Sequence, residues 1–132
     1  MNMFEYELKN GITQLNTKYG ELTVSSDPLQ GYKPIELLVS SIVGCSGGIL
    51  SRILEKKRID VKSIRIKTNI ERNELEANKV TKIDLHYIIE GKNISEEQIR
   101  KSLEVTFKNC GMIQTLKGSV QINESYEIYN DR

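Results

Sequence analysis

The chain has 132 residues, 38% of them hydrophobic and 28% charged, with a formal net charge of +1. That length fits one domain with a core of its own, without metal or disulfide staples. A charge balance so close to zero offers no field to recruit nucleic acid or anionic membrane, and with Trp absent and aromatics at 6% the core must be aliphatic.

Residues 1–6 carry no basic segment followed by an apolar run, so no signal peptide is read there and a cytoplasmic setting is expected. Short strands are predicted at 3–8, 12–16 and 21–25, a meander whose first turn is set by Asn10 and Gly11. Residues 25–33 are rich in turn formers and read as a loop. Pro34 then opens a long helix to about residue 57, since its missing N–H has no intrahelical partner in a first turn. Ile35, Leu38, Ile42, Cys45, Ile49 and Ile53 recur at steps of three and four, which is one apolar stripe. Leu37, Val39, Val43, Leu50 and Leu54 widen it beyond one face. The most apolar part is shorter than the ~20 residues a membrane span needs and already contains Glu36, so a buried helix is expected. Gly44, Gly47 and Gly48 crowd around Cys45; at up to about 1 kcal/mol each relative to Ala, they point to close approach of another backbone. Lys56, Lys57 and Arg58 suit the C-terminal dipole and are not read as a nucleic-acid patch.

A strand at 61–70 follows, with Ile64, Ile66 and Ile70 on one face and Arg65 and Lys67 on the other. Its partner at 80–90 places Ile83, Leu85, Tyr87 and Ile89 together. The polar connection at 71–79, which holds Arg72, is predicted to be a long mobile hairpin tip. Ser95 and Gln98 form a capping box for a helix from 95 to about 109, with Ile94 and Ile99 as the staple. Ile99, Leu103, Phe107 and Cys110 share a face of it. A helical turn at 111–117 is closed by Gly118, and Val120, Ile122, Tyr126 and Ile128 alternate as a last strand. Long parallel βαβ repeats are absent, so the fold class is α+β, with helices on one face of a mostly antiparallel sheet.

Two cysteines are too few for a secreted disulfide scaffold and too far apart for a local CxxC motif. In a reducing compartment such a pair is more often catalytic than structural, although free cysteine on an apolar helix face is commonly just a small core residue. Glu36 in a first turn ordinarily complements the helix dipole, and Arg72 among polar neighbours is ordinarily solvated. His86 is the single histidine and makes no zinc site beside two cysteines, so neither a metal nor a cofactor is expected.

Pro34-Ile35-Glu36-Leu37-Leu38, followed by Gly44-Cys45, resembles the P-x-E-L-L…G-C helix of the OsmC/Ohr family. Residues 83–91 are similar to the family's hairpin strand ending in glycine, and 95–110 to its second helix ending in the second cysteine. The resemblance covers about residues 31–129. It implies an OsmC-like fold over a single domain at 1–132, and an intertwined homodimer whose long helices pack together between the sheets. It implies further that Cys45 attacks an organic hydroperoxide, that Cys110 resolves the sulfenic acid as a disulfide, and that a dithiol reductant restores both. The family's peroxidases use an N-terminal arginine and a glutamate directly after the helix-opening proline. Here no arginine precedes Arg52, and the glutamate stands one place later, as Glu36. Lys33 and Arg72 are the candidate sources of positive charge. Glu36 and Cys45 are separated by about 13.5 Å of helical rise, too far for contact within one helix. The cysteine pair favours the enzyme. The missing arginine favours a non-enzymatic protein of the same fold that binds a lipid-like or other small apolar ligand in the dimer cleft.

Overall fold

A computed structural model describes residues 3–131. They fall into two compact units, Met1–Ser40 and Ser41–Arg132, each holding a three-stranded sheet.

The first unit is the meander: β1 (Tyr6–Lys9), β2 (Ile12–Asn16) and β3 (Glu21–Val24), antiparallel throughout. Asn10 and Gly11 take φ of 55° and 77°, the positive values that a two-residue hairpin turn of the right twist demands. After β3 the chain returns on itself, Ser25 donating to the Tyr32 carbonyl at 3.0 Å and Tyr32 to that of Thr23 at 2.9 Å. Gly31 lies inside this return; a Cβ there would come 2.8 Å from the Thr23 carbonyl oxygen, so no larger residue fits.

Helix α1 (Pro34–Lys56) starts in this unit and continues into the second. By length and composition alone it would suffice to cross a membrane. Yet Ile42, Ser46, Leu50 and Leu54, at helical spacing, are buried in the second unit. The buried stripe is therefore rotated from the expected one, on which Cys45, Ile49 and Ile53 are only half-buried.

The second unit continues with β4 (Asp60–Asn73), β5 (Lys79–Lys92), α2 (Glu96–Asn109), α3 (Gly111–Leu116) and β6 (Gln121–Asn130). Its core joins Ile42, Leu50 and Leu54 of α1 to Ile83, Leu85, Tyr87 and Ile89 of β5, Ile99 and Leu103 of α2, and Ile113 of α3. Ser95 caps α2 as expected, its Oγ accepting from the Gln98 N–H at 3.4 Å.

One expectation is corrected. The hairpin has no long loop: β4 and β5 stay paired as far as Asn73 and Lys79, with Ala77 and Asn78 at positive φ closing a tight turn. Ladder hydrogen bonds extend the strands through polar residues whose side chains need no burial. Pairing is mostly antiparallel, as expected, but β6 lies parallel to β5, with α2 and α3 as the crossover, so this sheet is mixed. The fold is α+β with one antiparallel and one mixed sheet. Gly91 is the tightest point: a Cβ there would meet the Asp60 carbonyl oxygen and come within 2.8 Å of Ile94 Cδ1.

Candidate functional site

The site lies wholly in the second unit. Cys45 stands in the middle of α1, half-buried. Cys110 sits where α2 ends and α3 begins, in extended backbone (φ −77°, ψ 107°), and is completely buried. This break turns α3 so that the backbone N–H groups of Gly111 and Met112 face Cys45, and sets the Cys110 thiol close enough to act on that of Cys45.

The two thiols are driven in opposite directions. The Met112 N–H, the Cys110 thiol, the Gly111 N–H and the Arg52 charge together pull the Cys45 thiol below its ordinary pKa, against the opposing effect of burial. Burial pushes the Cys110 thiol up, helped by its hydrogen bond to Cys45 and by the negative charge there; the N–H groups of Ile113 and Met112 oppose this. The two shifts favour negative charge on Cys45 and a neutral thiol on Cys110. A thiolate is the nucleophilic form of cysteine, and the half-buried one is the one a substrate can reach.

Behind the cysteines runs a buried polar chain. Ser46, next to Cys45, has its Oγ 3.2 Å from the Tyr87 hydroxyl, which donates to Glu124 Oε2 at 2.5 Å. Tyr87 is fully buried and its hydroxyl is held strongly protonated, by burial first and by the Glu124 hydrogen bond second. Burial also raises the Glu124 carboxyl, against the stabilising Tyr87 bond.

Sequence reasoning singled out Cys45 and Cys110, and the fold brings them together. Glu36 lies in the other unit, where its Oε1 accepts from the Lys33 N–H at 2.9 Å, the reach-back half of a capping box. Arg72 is exposed on β4, opposite Val80 near the hairpin end. The cation that acts on Cys45 is instead Arg52, two helical turns further along α1. Tyr87, Ser46 and Glu124 were also missed as functional candidates. The available signal was a carboxylate alternating with Ile122 and Tyr126 on a strand's inward face. His86 lies on the outer face, its Nε2 3.3 Å from Glu127 and its Nδ1 2.7 Å from Ser125 Oγ. Among the described residues no group of three metal-ligating side chains gathers.

A family model described as OsmC-like protein matches residues 25–125. The protein YhfA of Escherichia coli is 30% identical over 96 residues, 72% of each chain. A hypothetical protein from Aquifex aeolicus has a solved structure that superposes with a TM-score of 0.89 at 27% identity, covering 100% of this chain and 98% of that one. The organic hydroperoxide resistance protein OhrB of Bacillus subtilis shares the fold at a TM-score of 0.64 and 13% identity, over 95% of this chain and 96% of that one.

Proposed function

The chain belongs to the OsmC-like protein family, and from that membership we propose that it is a thiol-dependent peroxidase reducing organic hydroperoxides through Cys45 and Cys110. The observation that carries the reading is the neighbouring thiol pair with opposite pKa shifts, lowered at the half-buried Cys45 and raised at the buried Cys110. The name of OhrB supports the substrate class. The Cys45 thiolate attacks the terminal peroxide oxygen; a sulfur–oxygen bond forms, the O–O bond breaks, and the alkoxide leaves and takes a proton. Cys45 is then a sulfenic acid. The Cys110 sulfur displaces its hydroxyl, which leaves as water with the thiol proton, and a disulfide remains. A dithiol reductant of the cell returns both cysteines to thiols by exchange and is itself oxidised. A cytoplasmic setting supplies such reductants, and the reading needs no resident cofactor, nucleic acid or membrane.

We take residues 1–132 as one OsmC-like domain acting as a homodimer. Only 22% of an 18-residue apolar window of α1 is buried by its own chain. A groove of about 580 Å³ runs beside it, lined by Val43, Gly47, Leu54, Ile59, Ile64 and Ile66, and the space next to Gly44 is open. A second copy's helix would cover this face. The same groove favours a second reading, a binding protein for an apolar small ligand.

Consumption of cumene hydroperoxide with a dithiol reductant tests the enzyme. Wild type should turn over and Cys45→Ser should not, while Cys110→Ser should accumulate a sulfenic acid at Cys45 that dimedone labels. Both thiols staying reduced in folded protein after a peroxide pulse would refute it, and a copurified acyl ligand in native mass spectrometry would then favour binding. Sedimentation of a folded monomer at micromolar concentration would refute the dimer.

A further inference from the structure

Arg52 and Cys45 differ by nearly two full turns of α1, which returns them to one face of the helix. Between them stands Gly48, and the Arg52 guanidinium lies against it: its Nη1 is 3.8 Å from where a Cβ of Gly48 would sit, ordinary van der Waals contact. The arginine is thus folded back along the helix, its charge at the level of Gly48 and roughly 5 Å of rise from Cys45. It is exposed, and among the described residues no carboxylate pairs with it. The Glu124 carboxylate is tied to Tyr87, and the Glu36 carboxylate to the Lys33 N–H in the other unit.

We propose that Arg52, laid over Gly48, is an anion-binding group that directs to Cys45 electrophiles carrying a carboxylate, sulfonate or phosphate a few bonds from the reacting atom. The proposal rests on Cys45 being the reactive thiol and names the substrate class of that site. A guanidinium presents five donors in a planar fork, so it holds a carboxylate while keeping its charge toward the thiolate. The span from the guanidinium to the sulfur sets the reach: the anionic group and the reacting atom of the substrate must lie about as far apart as one helical turn allows, roughly 5 Å or less. The Coulombic influence of Arg52 on Cys45 agrees with this placement. For a peroxide of this class the step is the one already written.

The test needs no peroxide. Iodoacetamide and iodoacetate alkylate a thiolate by the same displacement, sulfur–carbon bond made and iodide lost, and differ in that iodoacetate is an anion. The ratio of their rates at Cys45, followed by mass spectrometry of its peptide, cancels the thiolate fraction and reads anion preference alone. Removing one unit charge roughly 5 Å away should lower the iodoacetate-to-iodoacetamide ratio about fivefold in Arg52→Gln. Arg52→Lys should restore most of it, and high salt should bring the wild-type ratio toward that of Arg52→Gln. A ratio unchanged by Arg52→Gln, a wild-type ratio indifferent to salt, or a Cys45 that neither reagent alkylates would each overturn the proposal. The expected ratios in a protein that consumes no peroxide would sustain the anion site and refute the peroxidase instead.

Discussion

Tyr87→Phe removes one oxygen from the centre of the second unit. That oxygen bonds to Glu124 at 2.5 Å and lies 3.2 Å from Ser46 Oγ, and the ring around it is fully buried. A hydrogen bond to a carboxylate contributes about 1.5–3 kcal/mol and a neutral one about 1 kcal/mol, and the partners left behind lose their bond without regaining full solvation. Glu124 is only half-buried, so water recovers part of the loss. The expected cost is about 2 kcal/mol, or a fall in Tm of roughly 6–10 °C for a chain of this length. Urea unfolding at one fixed protein concentration measures it, since association would make the midpoint concentration-dependent. Adding Glu124→Leu to Tyr87→Phe replaces both polar partners with apolar ones and should recover much of the loss. A Tyr87→Phe cost below about 0.5 kcal/mol, or a double variant as costly as the sum of the singles, would refute the view that this pair is a strong buried bond.

The remaining expectations concern ionisation and capping. Burial raises the Glu124 carboxyl, so the folded chain binds its proton more tightly than the unfolded one. Its contribution is therefore full below the unfolded carboxyl pKa of about 4.3 and is lost as pH rises through the folded value. Glu124→Gln should flatten that decline in urea titrations run across this range, and an unchanged slope would count against the shift. With its pKa lowered, Cys45 should be alkylated by iodoacetamide at lower pH than an ordinary thiol of pKa about 8.5, and Cys110 should lag. Two thiols titrating together near the ordinary value would remove the basis of the proposed reaction. Glu36→Ala removes the acceptor for the Lys33 N–H and should cost about 0.5–1 kcal/mol while leaving the Cys45 alkylation rate unchanged. A large fall in that rate in folded protein would show that Glu36 does more than cap its helix.

Helix α1 was legible in the sequence because Pro34 and the apolar spacing mark its start and type. Which face it buries was not, because a helix apolar nearly all round carries no periodic signal to choose one. Leu50 and Leu54, read as mere widening of the stripe, turn out to be among its most buried residues. Cys45 and Cys110 were found through their residue type and the family resemblance, but their meeting depends on the break between α2 and α3, which no single residue announces. The search for a cation looked to Lys33 and Arg72, whereas Arg52 follows from helical geometry once glycine at 48 is seen as room for a folded-back side chain. The parallel pairing of β6 was implicit in the two helical segments before it, since a strand that returns after a helical crossover can lie parallel. Extension of β4 through Glu71 and Arg72 was hidden because side-chain pattern is silent where a hairpin is solvated on both faces.

The asymmetry of the thiols also orders the proposed reaction in time. Before substrate arrives, Cys110 is kept neutral by three influences: its burial, its hydrogen bond to Cys45, and the negative charge on that sulfur. Oxidation of Cys45 to a sulfenic acid removes the charge and changes the bond, so two of the three disappear at the moment a resolving nucleophile is needed. Burial persists, but the N–H groups of Ile113 and Met112 continue to favour a thiolate at Cys110 and now act with less opposition. Until then the neighbouring Cys110 thiol is one of the causes of the lowered Cys45 pKa. In the proposed reaction, the influence that lowers the Cys45 pKa is thus paired with one that raises that of Cys110, and oxidation of Cys45 ends both.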